Sequence, residues 1–101
     1  MASLRFEQDK DPLDIAPYAF GFTGHVYDEY GQKPDPLITC VIRVLDDEAT
    51  LEVDSYDVVG DYAVAILTGG TAGMTYTIDC LATFESGKVL NRSAKLKVKD
   101  L

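Results

Sequence analysis

The amino-acid sequence predicts an all-β domain, an antiparallel β-sandwich of six or seven short strands over residues 1–101. Three observations carry that expectation. Large apolar side chains recur at every second position in several segments, as one face of a strand requires. Glycine-bearing turns separate those segments at intervals of roughly 8–12 residues. Few windows place apolar residues at i, i+3, i+4 and i+7, and β-branched, aromatic and glycine residues are spread throughout, so helix fits poorly.

Met1 to Phe6 can form a short strand, and the charged, proline-interrupted stretch Glu7 to Asp14 reads as a loop. In the strand from Ile15 to Phe22 the rings of Tyr18, Phe20 and Phe22 fall on one face, which is assigned to the core. Pro17 gives no ladder donor and confines this segment to a strand start or a sheet edge. Tyr27 to Pro36 is rich in turn formers, lacks periodicity and is the longest loop. Leu37 to Leu45 is apolar at nearly every residue except Thr39 and Arg43, the pattern of a central strand covered on both faces. Leu51 and Val53 mark the next short strand, Gly60 a break, and Tyr62, Val64 and Ile66 the strand from Asp61 to Thr68. A glycine-rich turn follows over Thr68 to Gly73.

Tyr76, Ile78, Cys80, Ala82 and Phe84 then alternate along a long core strand, and Glu85 to Lys88 supplies a tight turn. In the last strand, Val89 to about Lys99, Ala94, Leu96 and Val98 face inward and Lys95, Lys97 and Lys99 face water. Greek-key connection of such strands gives an immunoglobulin- or fibronectin-like sandwich. In these folds a tyrosine near the start of the core strand buries its ring and bonds its hydroxyl back to the preceding turn. Gly73 and Tyr76 are the candidates for such a tyrosine corner, a structural role.

With 101 residues the chain supports one core, and it holds no apolar run near the roughly 20 residues of a membrane helix. No partner membrane is expected. The net charge of −8 disfavours nucleic acid, whose binding depends on basic groups. That charge is uneven. Residues 1–61 hold fourteen acidic and four basic residues, net −10, and residues 62–101 hold three and five, net +2. The N-terminal residues show no secretion signal. Cys40 and Cys80 stand far apart with no second ligand pair, so free buried thiols are expected and neither a zinc site nor a disulfide scaffold is indicated.

No catalytic set is legible. His25 is the lone histidine and has no nucleophile or orienting partner at a recognisable spacing. The carboxylates Asp9, Asp11 and Asp14, and Asp46, Asp47 and Glu48, match no calcium-loop pattern, and turn chemistry accounts for them. Gly69 to Gly73 lacks the following Lys-Ser/Thr of a phosphate-binding loop. A non-enzyme without metal or cofactor is the expectation.

The run Leu67 to Ile78, with Phe84 to Lys88, Asn91 to Val98, Lys10-Asp11-Pro12 and Tyr18-Ala19-Phe20, resembles a family of small virion proteins of tailed bacteriophages, fibre-to-tail adaptors or minor tail components. The matching pieces span roughly residues 9–23 and 66–98; Gly21-Phe22 stands where family members often show an Asp-Trp pair. The resemblance implies a structural part of a phage particle or prophage. It would be made in the host bacterial cytoplasm and would link or decorate other phage structural proteins, with copies of itself as a further partner. It also makes the long loop, with Tyr27, Tyr30, Pro34 and Pro36, the candidate interface, because exposed tyrosines are common anchors. A carbohydrate-binding or fibronectin-like module of a larger enzyme is the alternative, though neither a row of exposed aromatics nor a linker is evident.

Overall fold

The computed structural model describes residues 4–5, 9–27, 34–46 and 50–100. Seven strands run in order: β1 (Leu4–Arg5), β2 (Ala16–Gly21), β3 (Leu37–Val44), β4 (Leu51–Val59), β5 (Tyr62–Gly69), β6 (Thr75–Phe84) and β7 (Val89–Lys97). They form two sheets, ordered β1-β7-β6-β3 and β2-β5-β4. Every pairing is antiparallel except that of β1, which runs parallel to β7. Strands two, five and four in one layer against three, six and seven in the other is the partition of the immunoglobulin sandwich. The fold is all-β and sandwich-like, as the alternation in the sequence implies.

The core lies between the layers. The inward row of β6, Tyr76, Ile78, Cys80, Ala82 and Phe84, is buried along its whole length. Tyr18 and Phe20 face it from β2, and Phe22 is buried just past the strand end. Tyr18 and Phe20 lie beside Ala65 and Ala63 of β5. Small side chains next to large rings let one layer fill without strain. Both cysteines are free thiols in this core. Burial pushes Cys80 up to about 12, with Cys40 and Asp79 adding to the effect.

Four expectations need correction. Tyr62, Val64 and Ile66, the apolar row by which β5 is recognised in the sequence, lie outward, and the inward row is Ala63, Ala65 and Leu67. Leu37–Val44 is an edge strand, paired with β6 alone among the described residues, so Ile38 and Val41 are exposed instead of covered. The neighbouring β4 belongs to the other sheet, and a run apolar on both faces carries no mark of that. The strand opening at Leu51 extends to Val59, because a bulge between Val53 and Ser55 shifts the period and lets pairing with β5 continue. Lys10, expected in a solvated loop, is fully buried.

Lys10 sits at one end of the sandwich with the glycine-rich turn. Its backbone N–H donates to Lys97 O at 2.9 Å and its carbonyl accepts from Lys99 N at 2.8 Å, extending the parallel edge of β1. Its Nζ donates to Gly69 O at 2.7 Å and Asp11 O at 2.9 Å. Burial lowers the ammonium pKa, and the charges of Asp14 and Asp11 oppose that shift. A buried ammonium is tolerable only when acceptors of this kind meet it. Gly69 adopts φ +77°, and a Cβ there would lie 2.5 Å from Thr50 O, so no other residue fits.

In the turn itself, Met74 N donates to Thr71 O at 3.1 Å and Gly73 has φ +90°, the left-handed value a type II turn needs at its third residue. Tyr76 Oη accepts the Thr71 N–H at 2.9 Å and shares a hydrogen bond with Thr50 Oγ1, also at 2.9 Å. Burial would raise the Tyr76 pKa, but these bonds from Thr50 and Thr71 outweigh it and leave it lowered. The hydroxyl ties the starts of β4 and β6 to the turn between β5 and β6.

Tyr76→Phe leaves the Thr71 N–H without its partner and is expected to cost about 1–3 kcal/mol. Urea unfolding should show the midpoint falling with an unchanged slope. The raised Cys80 pKa predicts that stability is full below pH 9.0, the ordinary thiol value, and declines as pH climbs toward about 12. Cys80→Ala should flatten that alkaline slope whatever it does to stability at neutral pH; an unchanged slope refutes the assignment.

Candidate interaction surface at the loop end

The opposite end of the sandwich is built from the β2–β3 connection and the β6–β7 turn. After Phe22 the chain makes one 3-10 turn, Thr23–His25, because His25 N reaches back to Phe22 O at 2.8 Å. Phe22 is the anchor. Its ring meets Phe84, the last residue of β6, edge-on at 5.8 Å, a favoured aromatic geometry.

Past the turn, Tyr27 and Pro34 form an isolated antiparallel bridge, and Asp35 N donates to Val26 O at 2.7 Å. These contacts close the base of the long loop. Glu85 N donates to Pro36 O at 2.9 Å, which joins that base to the β6–β7 turn.

Two charged side chains brace the junction. Asp35 is buried and accepts from Ser86 N and Ser86 Oγ, both at 2.8 Å. Lys88 Nζ lies 3.4 Å from Asp35 Oδ2, donates to His25 O at 2.6 Å and Tyr27 O at 3.4 Å, and stands 4.5 Å from the centre of the Phe84 ring. Burial acts to raise the Asp35 pKa, but the Ser86 and Lys88 hydrogen bonds and the Lys88 charge prevail and hold it below the usual carboxylate value. One ammonium thus closes two loop carbonyls, a carboxylate and an aromatic face.

The brace presents part of the surface suggested by the sequence. Tyr27 is 52% exposed, and Pro34 and Pro36 are exposed beside it. Tyr30 lies outside the described residues. Gly73 and Tyr76 are at the far end: β6 has ten residues, which at about 3.3 Å each puts roughly 30 Å between the two groups. His25 is exposed and stands edge-on to Phe22 at 6.4 Å. Among the described residues, no group of three or more His, Cys, Asp or Glu is arranged to hold a metal ion.

Sequence reasoning missed Asp35 and Lys88, which hold the loop without being displayed by it. The signal was thin: an Asp between two prolines, and a lysine two residues after a serine in a tight turn. Their partners, Ser86 and Lys88 for Asp35 and the His25 and Tyr27 carbonyls for Lys88, are distant in sequence, which no local pattern encodes.

Asp35→Asn is expected to lower the melting temperature at neutral pH. Because the folded pKa is depressed, the contribution of Asp35 is present above the ordinary value of 3.8 and disappears as pH falls through the folded one. Wild type and variant should therefore converge in melts taken at progressively more acid pH. A difference that persists undiminished below both pKa values contradicts the brace.

A family model described as podophage GP4 fiber-tail adaptor protein gp77 matches residues 10–97. Among curated proteins none matches the chain. The match opens at the buried Lys10, closes at the end of β7, and takes in both the tyrosine-anchored turn and the braced loop. The chain belongs to this family of phage fibre-tail adaptors, whose role is structural.

Proposed function

We propose that this chain is a non-catalytic adaptor in the virion of a tailed bacteriophage, joining a tail protein to a fibre protein, and that it is assembled in the host cytoplasm. Membership of the fibre-tail adaptor family supports the role. The observation that carries the choice of surface is the Lys88 and Asp35 brace, which fixes the backbone under Tyr27, Pro34 and Pro36. A surface held rigid before binding loses less conformational entropy on association. Tyrosine there offers a large contact area with few rotatable bonds, and prolines stiffen the backbone around it. Repetition in a symmetric particle compensates for a modest single contact. Two buried free thiols suit assembly in a reducing compartment.

The test mixes the full chain with the tail and fibre proteins encoded beside it and follows the mass of the complex by chromatography with light scattering. A stoichiometric complex with at least one of them is expected, weakened about tenfold or more by Tyr27→Ala, equivalent to about 1.4 kcal/mol. No complex with either protein, together with retention on a polysaccharide column, would replace this proposal with a sugar-binding module.

A further inference from the structure

Each sheet ends in two edge strands, β1 and β3 in one and β2 and β4 in the other, and three of these edges are blunted. In β2, Phe22 N donates to Asp61 O, and the antiparallel alternation then turns the backbone of Pro17, Ala19 and Gly21 away from β5, where Pro17 has no N–H to offer. β4 is broken by its bulge and carries Asp54 and Asp57, and Asp57 Oδ1 accepts the Val58 N–H at 2.8 Å. β1 spans two residues.

β3 differs. Its one irregularity falls at its start, between Leu37 and Thr39, and from Thr39 to Val44 the register with β6 is unbroken. The strand holds no proline, glycine or lysine, and its single charged residue, Arg43, is paired with Asp79 at 3.7 Å. Leu45 N donates to Thr77 O at 3.0 Å, which fixes the phase of the ladder: Val41 and Arg43 bond to β6, and the N–H and C=O groups of Cys40, Ile42 and Val44 point to the open side. Among the described residues nothing pairs with these donors and acceptors. A row in which N–H and C=O alternate is matched in full by another extended backbone. Variable-type immunoglobulin domains carry further strands at the corresponding edge.

The side chains at this edge narrow the choice of occupant. A cleft of about 80 Å³ opens between the layers, lined by Ile38, Thr39 and Cys40 of β3 and Tyr56, Asp57 and Val58 of β4. It has room for one small side chain. A strand laid beside β3 would turn alternate residues toward this cleft and the others toward the outer face, next to the exposed Val41. Asp57 is exposed at the cleft, and its charge reaches inward: burial first, and then Asp57, raises the Cys40 pKa. No lysine or arginine of β4 or β5 offsets Asp54 and Asp57, so the complement is basic. A second copy fits this poorly. Twofold pairing through β3 would set two β4 strands side by side with their carboxylates together, in a chain of net charge −8.

We propose that the β3 edge takes an extended, basic segment of a partner protein as an added strand, with a small apolar residue in the cleft beside Cys40 and a lysine or arginine at Asp57. The proposal rests on the adaptor reading and gives it a contact surface besides Tyr27.

Hydrogen exchange of the full chain, read residue by residue, tests it, alone and in complex with the tail or fibre protein encoded beside it. In the free chain the Val41 and Arg43 amides should be protected and those of Cys40, Ile42 and Val44 should exchange faster; in the complex the latter three should slow about tenfold or more. That alternation is the mark of strand addition and would not follow from side-chain packing alone. Asp57→Asn keeps an oxygen for the Val58 N–H and removes the charge, so it should weaken the complex about threefold or more and flatten its salt dependence. Val41→Lys, at an exposed position, should weaken the complex about tenfold while the chain still melts cooperatively. A complex in which Cys40, Ile42 and Val44 keep their free-chain rates overturns the proposal and leaves the adaptor reading standing. Failure to bind either protein overturns both. Protection of the same amides that grows with the concentration of the chain alone would give the edge to a second copy and overturn the proposal too.

Discussion

The molecule hangs on the inward row of β6. That strand is paired on both sides, and its alternate residues from Tyr76 to Phe84 are buried against the opposing layer. Its two terminal aromatics fasten the two ends of the sandwich by different chemistry. At the start, the Tyr76 hydroxyl gathers Thr50 and Thr71 and so fixes the glycine-rich turn. At the end, the Phe84 ring receives Phe22 on its edge and Lys88 near its face, and through them the loop that follows β2. A one-residue slip of β6 would turn this row to solvent and release both ends together.

Much of that was legible in the sequence, because period-two burial writes itself into residue type. The rings of β2 and the row of β6 are read from spacing alone; in β5 the spacing singled out Tyr62, Val64 and Ile66, whereas the inward row is Ala63, Ala65 and Leu67. What escaped has a common cause, dependence on partners remote along the chain. The apolar residues of β3 look the same whether both faces are covered or one is left for another protein. Lys10 looks like loop because lysine is usually wet, and only the placement of Gly69 O and Asp11 O around the ammonium makes a dry site acceptable. Asp35 and Lys88 are ordinary turn residues until the fold sets a buried carboxylate beside a ring and two carbonyls.

The two ends differ in what they offer. At the turn end the polar groups are consumed internally: the Lys10 ammonium is taken up by Gly69 O and Asp11 O, and the Tyr76, Thr50 and Thr71 hydroxyls answer one another. At the loop end the polar groups are also consumed, but in supporting a segment whose tyrosine and prolines remain outside. Such a division suits an adaptor, in which one region maintains shape and another displays contact area.

The parallel edge beside β7 has a mechanical meaning. Leu4 and Arg5 pair with Ala94 and Lys95, and Lys10 bridges to Val98, so the first described segments run alongside the last strand in the same direction. A pull that enters through one of these segments and leaves through the other acts along both strands in opposite senses. The hydrogen bonds of Lys10 to Lys97 and Lys99 are then sheared together instead of being peeled one at a time, and the ammonium held by Gly69 must leave its dry site before the edge can slide. The lysine that the sequence disguised as loop is placed to resist extension of the whole sandwich.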